Sequence, residues 1–232
     1  QISGAQGTPE EALTWARDTF DFYVMTDHSE EITPEEWAAL GNAVDGFTAP
    51  GAFVALRGFE WSTPLFGHIC VYNTSEYTNS ILTFCLSLFY LWLEIQPDAL
   101  AQFNHPGREP LAFNNLAYNA CAADNFFAME TGNKDDGNAT GPYLAFYPTI
   151  LDEGWKVAPT SNQDNDSLNA NAHRSVMIAD NLSRESLLEA MRARRIYSSD
   201  DPNLQIIFKL GTQWMGSEVE RQGGEKLCFT VW

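Results

Sequence analysis

Short apolar runs of strand length alternate along this chain with segments that begin like helices, and this alternation constrains the fold most. The runs cover residues 22–26, 53–59, 68–72, 100–104, 126–130, 155–159 and 175–179. Strands that alternate with helices predict a parallel sheet, and about seven such units favour a β/α barrel over an open sheet. The 232 residues suffice for one α/β domain with a substantial core.

The helix starts are marked by a cap residue, a first-turn proline and acidic side chains. The segments 8–11 and 33–36 both read Thr-Pro-Glu-Glu and precede apolar helical patterns, and Ser183 precedes a third. We expect two further helices near residues 81–95 and 142–153.

The character of the sequence changes after Pro202. Apolar stretches at 204–210 and 227–232 are separated by turn residues that include Gly223 and Gly224. We therefore expect residues 1–201 to form the barrel domain and residues 202–232 to form the first strands of a β-rich C-terminal module, an antiparallel β-sandwich.

Charge and hydropathy exclude two classes of partner. A formal net charge of −18 with only 13 basic residues argues against binding a nucleic-acid backbone, which needs clustered lysine and arginine. The most apolar stretch, 81–95, is too short to span a bilayer, and no signal peptide is visible at Gln1. We expect a soluble protein, and a secreted or bacterial periplasmic location is one interpretation of the acidic balance.

The four cysteines carry no metal-binding or disulfide signature. They are scattered without a Cys-x-x-Cys pair, which excludes a zinc knuckle, and a chain of this size has little need of a disulfide framework. We expect buried free thiols at Cys70, Cys85, Cys121 and Cys228.

Candidate metal ligands follow the ends of several apolar runs. His28, Glu60 and His105 lie at or just past such ends, where barrel enzymes gather their reactive groups. His68 precedes its run and Asp164 lies several residues beyond one, so the strand-end argument is weaker for them. Imidazole and carboxylate together suit hard and borderline divalent metals, so the pattern predicts a shared metal site.

Other groups near these positions have competing interpretations. Asp27 is expected to orient an imidazole ring rather than bind metal directly. Asp164 and Asp166 are either ligands or part of a polar loop, and Glu130 is either a pocket acid or a helix-capping acid. His173, in a polar stretch beside an arginine, is expected not to be a ligand. No Gly-x-Ser-x-Gly elbow, P-loop or Gly-x-Gly-x-x-Gly motif is present.

The order of these groups resembles the motif series of the polymerase and histidinol phosphatase (PHP) superfamily of metal-dependent hydrolases. Thr26-Asp27-His28 is similar to its second motif, and the Glu60 and His68 segments are similar to its central ligands. The Asn-His-Pro-Gly sequence at 104–107 is similar to its His-Pro ligand turn, and 161–166 resembles its closing Asp-x-His motif. Segments 8–12 and 26–30 are most similar to the carbaryl-hydrolase-like branch, in which a β-rich module often follows the PHP domain.

This resemblance covers roughly residues 1–200. It implies a distorted seven-stranded, TIM-like β/α barrel with up to three zinc, manganese or iron ions. It also implies hydrolysis of a phosphoester or a related carboxyl or carbamate ester of a small molecule. Two departures stand out. The opening His-x-His motif is expected before Gln1, so the sequence suggests an N-terminally shortened domain, and Asp166 stands where the family has histidine.

In this hypothesis a metal-activated water attacks the ester. Glu60 is a bridging and catalytic carboxylate, and His28, His68, His105, Asp164 and Asp166 are further ligands. Asp27 assists, and Arg108 holds a substrate oxyanion or forms a surface salt bridge. Two alternatives stay open: a non-catalytic metal-binding or scaffold domain derived from the barrel, and an amidohydrolase-type deaminase or lactonase. Oligomeric state is left open.

Overall fold

The computed structural model describes residues 7–133, 142–164 and 168–232, and these residues form a mixed α/β fold. The main strands are β1 (Phe22–His28), β2 (Val54–Thr63), β3 (Gly67–Tyr72), β4 (Leu100–Asn104), β5 (Phe126–Gly132) and β6 (Ala158–Ser161), followed by β7 (Arg174–Met177), β8 (Ile196–Ser199), β9 (Phe208–Leu210), β10 (Gln213–Trp214) and β11 (Phe229–Val231). The helices are α1 (Pro9–Arg17), α2 (Pro34–Phe47), α3 (Leu86–Glu94), the single turn α4 (Phe113–Leu116), α5 (Tyr147–Asp152) and α6 (Arg184–Arg192).

The first six strands form one curled sheet in the order β1-β2-β3-β4-β5-β6. Strands β1 and β2 are parallel, as are β4, β5 and β6, but β3 runs antiparallel to both β2 and β4. The expectation of a wholly parallel sheet is therefore wrong at β3. The cause is the three-residue connection from Thr63 to Gly67, which permits a hairpin but is too short for a parallel crossover.

The predicted seven-stranded barrel is not confirmed. The run expected at 175–179 becomes β7, which pairs antiparallel with β8 in a separate two-stranded sheet. The run expected at 155–159 forms a strand only from Ala158, because Trp155 still belongs to the turn after α5 and donates its backbone N–H to Ile150.

Helices α1 and α2 begin where the sequence predicts. The Thr8 and Thr33 side chains accept hydrogen bonds from the third helical residue, and Glu11 and Glu36 complete both capping boxes. The helix expected at 81–95 starts only at Leu86, because the Asn79 side chain holds the preceding residues in a turn. The segment expected as a helix at 142–153 is a 3-10 turn (Pro142–Phe146) followed by the short helix α5. None of the helices in the described ranges is long and apolar enough to cross a membrane.

Two apolar clusters pack on the sheet. The larger cluster joins α1, α2 and α3 to the sheet and includes Trp61, Phe103 and Trp155, and the smaller one joins α6 to Leu56, Tyr72 and their neighbours. All four cysteines are free, as expected, but only Cys70 is buried. Cys121, in a turn, and Cys228, immediately before β11, are exposed, so the expectation of burial is wrong for these two.

The C-terminal residues form a small antiparallel sheet in the order β10-β9-β11. Polar contacts tie it to the preceding part: Lys156 and Arg194 both contact Glu218, and the Tyr197 hydroxyl donates to the carbonyl of Leu204. The boundary between residues 201 and 202 stays our proposal.

We predict that Gly58→Ala destabilises the protein by about 1–3 kcal/mol, the usual cost of overpacking. A Cβ at Gly58 would lie 2.6 Å from the backbone oxygen of Val71, where β2 and β3 pair. Urea denaturation measures the loss. Gly46→Ala is the control, because that position near the end of α2 has nothing within 4 Å and should gain stability. Equal effects of the two substitutions would contradict the prediction.

Candidate metal centre

Four of the predicted ligands meet at one edge of the curled sheet. His28, the last residue of β1, is the register partner of Glu60 on β2. His68 is the register partner of Ser62 on β2 and of Asn104 on β4, and His105 directly follows Asn104. Because β3 is antiparallel, its beginning lies at the edge where β1, β2 and β4 end. The strand direction thus explains how His68 joins the site although it precedes its strand.

The buried carboxylate of Glu60 lies at the middle of this group. Its Oε2 is 3.4 Å from Nδ1 of His28, and its Oε1 is 3.4 Å from Nδ1 of His68 and 3.7 Å from Nε2 of His105. Glu60 is 1% exposed. Burial would raise the pKa of Glu60, but the facing imidazoles of His105, His68 and His28 outweigh burial and hold it well below its usual range.

Two polar residues that the sequence reasoning missed surround this carboxylate. Asn104 donates from Nδ2 to Oε1 of Glu60 at 2.6 Å, and Ser62 Oγ hydrogen-bonds Nδ1 of His28. Both were detectable: Ser62 is two residues from Glu60 in the same strand and so shares its face, and Asn104 immediately precedes a candidate ligand.

The His105 turn is held by a second buried acid. The backbone N–H of His105, whose φ is +29°, donates to Oε2 of Glu130 at 2.7 Å. Gly107 has a φ of +88°, and a Cβ there would lie 2.2 Å from the Phe146 ring, so the turn requires glycine. Asn162 and Asn133 also donate to Glu130. Burial raises the pKa of Glu130 to about 7. Glu130 is a pocket acid, and it lies near the end of a strand, not at a helix.

Glu109 is a carboxylate of the site that the sequence reasoning did not identify. It lies 3.7 Å from Nδ1 of His105 and 3.9 Å from Nε2 of His68, and Arg108 donates to it at 2.8 Å. Partial burial raises the pKa of Glu109, but His105 and Arg108 outweigh burial and lower it to about 2. The salt bridge expected as one role of Arg108 is therefore present, and Arg108 Nη2 also lies 3.2 Å from Nδ1 of His68.

The remaining candidates are Asp164, Asp27, Asp166 and His173. Asp164 accepts from Asn133 at 2.8 Å, and Asn133 links it to Glu130. Asp27 adjoins His28 in β1, where side chains alternate between faces, and its expected role of orienting an imidazole stays a prediction. Asp166 lies outside the described residues. His173 is buried and faces Asp200 at 2.7 Å.

A divalent metal ion fits the cluster. Ligand atoms of His28, Glu60 and His68 lie within 4.8 Å of one another. A nitrogen and an oxygen bound at about 2.1 Å to one tetrahedral ion would be about 3.4 Å apart, close to the imidazole-to-carboxylate distances here. Within the described residues, Glu60 Oε2 and His105 Nδ1 are buried and have no hydrogen-bond partner. A bound cation would satisfy such a carboxylate oxygen.

A cavity of about 600 Å³ lies between β1 and the β6–β7 side of the fold. Glu130, Asp164 and Asn104 line its polar part, and Phe22 and Phe127 line its apolar part. The cavity adjoins the Glu60 cluster at Asn104, which lines the cavity and donates to Glu60.

For the metal-free protein we predict that the free energy of unfolding falls as pH rises from about 5 to about 9. The pKa of Glu130 is raised from 4.5 to about 7, and that of His105 from 6.5 to about 9, where Glu109 and Glu60 outweigh the lowering effect of burial. Each group binds its proton more tightly in the folded state, so its contribution is complete below the unfolded pKa and is lost as pH rises through the folded pKa. Each contribution is on the order of 3 kcal/mol.

Urea denaturation of chelator-treated protein at pH 5, 7 and 9 measures this fall. Glu130→Gln should abolish the part between about pH 5 and 7 and keep the part above pH 7. A stability that is flat or rises across this range would contradict the prediction.

Proteins similar to this chain were found by comparing structures and not by comparing sequences. No family model matches the chain, and no curated protein matches it. A two-domain protein from Bacteroides vulgatus ATCC 8482, described as containing a predicted PHP-like metal-dependent phosphoesterase, is similar with a TM-score of 0.60 at 15% identity. The match covers 85% of this chain and 61% of that protein, so the chain spans less than two thirds of its length.

PsfC from Pseudomonas syringae PB-5123 is similar with a TM-score of 0.60 at 14% identity, over 85% of this chain and 86% of PsfC. At these identities the likeness concerns the fold. The chain therefore shares its fold with a protein described as containing a predicted PHP-like metal-dependent phosphoesterase.

Proposed function

We propose that this chain is a metal-dependent hydrolase that cleaves a phosphoester, or a related carboxyl or carbamate ester, of a small molecule. The observation that carries the proposal is the convergence of His28, His68 and His105 on the buried carboxylate of Glu60. The shared fold with a protein described as containing a PHP-like phosphoesterase supports the same reaction class.

Glu60 and the imidazoles would hold the metal, with Glu60 bridging if more than one ion is bound. Up to three ions of zinc, manganese or iron are proposed, and Asp164 and Asp166 are proposed as further ligands. A bound divalent ion would supply an activated water and polarise the ester or phosphoryl oxygen.

The chain's own residues then position the substrate and the ligands. Arg108 is 40% exposed in its side chain and lies beside His68, so its guanidinium can bind an anionic ester oxygen at the rim of the site. Ser62 and Asn104 fix the groups around Glu60 by hydrogen bonds. Asp27 is proposed to assist from the neighbouring position in β1.

The substrate is proposed to be a small molecule. A chain with a net charge of −18 repels the phosphate backbone of a nucleic acid, and neither a nucleic acid nor a membrane is proposed as a partner. The cavity beside Asn104 offers a mixed polar and apolar wall for such a ligand.

Metal content and turnover together test the proposal. The purified chain is loaded separately with zinc, manganese and iron(II), dialysed, and measured by elemental analysis. It is then assayed on aryl phosphate, phosphodiester, carboxyl ester and carbamate substrates, with chelator-treated protein as the blank. We expect at least one ion per chain and turnover that the chelator abolishes.

His173→Ala is the matched control, because this histidine lies outside the Glu60 cluster and should keep the metal. Less than one ion per chain would overturn the proposal. Stoichiometric metal without turnover on any substrate would favour the alternative of a non-catalytic metal-binding domain, since the same four side chains suffice to bind an ion.

A further inference from the structure

We propose that Glu109 is a shared positioning residue that orients both His68 and His105, so that one nitrogen of each ring presents its lone pair to a metal beside Glu60. This role rests on the proposed metal site. Metal-binding histidines commonly donate their second ring N–H to a carboxylate, which fixes the tautomer and the ring orientation.

The two nitrogens of the His68 ring face different groups. Its Nδ1 faces Glu60 at 3.4 Å and accepts from Arg108 Nη2 at 3.2 Å, so the lone pair lies on this nitrogen. Its Nε2 then carries the hydrogen and faces Glu109 Oε1 at 3.9 Å. A bound cation would take this lone pair in place of the Arg108 hydrogen bond, which would release the guanidinium.

The His105 ring has the same arrangement with its nitrogens exchanged. Its Nε2 lies 3.7 Å from Glu60 Oε1, and its Nδ1 lies 3.7 Å from the other oxygen of Glu109, Oε2. A hydrogen on Nδ1 directed at Glu109 leaves the lone pair of Nε2 toward Glu60. The two oxygens of Glu109 thus each face one imidazole, and the two imidazoles both face Glu60.

Burial supports this role. The Glu109 side chain is 9% exposed, and within the described residues its Oε2 and the His105 Nδ1 are buried without a hydrogen-bond partner. A shift of less than 1 Å would bring each pair to hydrogen-bond distance. The turn that begins at His105 places Glu109 back over that ring, four residues further along the chain, and Arg108 compensates the carboxylate charge.

Removal of this carboxylate should weaken metal binding without removing a ligand. We expect Glu109→Gln to lower the affinity for zinc by about 10–100-fold, the usual cost of losing an outer partner of a metal-binding histidine. The number of ions bound at saturation should stay the same, and the metal-free variant should keep the wild-type circular dichroism spectrum.

The experiment is competitive zinc titration against a chromogenic chelator, together with long-range proton–nitrogen NMR of the imidazoles in the zinc-loaded protein. We expect wild-type protein to bind zinc through Nδ1 of His68 and Nε2 of His105, with hydrogen on the opposite nitrogens. Asp200→Asn is the matched control, because Asp200 also faces a histidine, His173, but lies outside the cluster. It should leave the affinity unchanged.

The outcomes separate this role from the proposed function. Wild-type protein that binds no zinc overturns both. Wild-type binding that Glu109→Gln leaves within twofold, coordination through the nitrogens that face Glu109, or loss of an ion at saturation in Glu109→Gln overturns the positioning role alone.

Discussion

Replacing Glu60 by glutamine is expected to weaken zinc binding at least about a thousandfold, because loss of an outer partner already costs about 10–100-fold. The substitution keeps the size of the side chain and removes the charge that three imidazoles face. Metal-dependent turnover should fall below detection at the zinc concentration that saturates the wild type. Competitive zinc titration and the hydrolysis panel measure the two losses.

Glu218→Gln is the control for this prediction. Glu218 is also an ion-paired glutamate, but it contacts Lys156 and Arg194 at the surface, so its loss should change neither affinity nor turnover. Circular dichroism of the metal-free Glu60→Gln protein checks that it folds. A folded variant with wild-type zinc affinity would show that the ion binds elsewhere.

Replacing Trp155 by alanine is expected to cost about 3–5 kcal/mol of folding free energy, the range for a large aromatic side chain in a core. Trp155 is 2% exposed and packs against Phe103 and Phe126 with ring centroids 5.0 Å apart in each case. Its indole N–H donates to the carbonyl of Leu116, which would be left unsatisfied. Thermal and urea denaturation measure the loss.

Trp155→Phe is the matched variant, because it keeps most of the aromatic packing and loses the indole N–H. We expect it to cost about 1–3 kcal/mol, including the unsatisfied carbonyl. If the alanine variant were as stable as the phenylalanine variant, the cluster around Trp155 would not be a principal part of the core.

Local chemistry made much of the secondary structure predictable. The Thr-Pro-Glu-Glu segments fixed the starts of α1 and α2, because capping depends only on residues within one helical turn. The direction of β3 was not predicted, because an apolar run is the same pattern in either direction. A signal was nevertheless present: Glu60 and His68 are too close in sequence for the crossover that a parallel pair needs.

The candidate site was predictable in its residue types and only partly in its members. Polar groups at the ends of apolar runs indicated His28, Glu60 and His105, and the structure brings them together with His68. Their roles as ligands stay predictions. Glu109 carried only a weak local signal, its position four residues after His105, and its contact with His68 depends on the β3–β4 pairing.

The sequence by itself determined where α1 and α2 begin and which side chains can bind a metal, because these properties depend on local residue chemistry. The tertiary structure decided that His68 lies beside Glu60, that Glu109 faces two imidazoles and that β7 leaves the main sheet. These features depend on strand direction and register, which long-range backbone hydrogen bonds and packing select.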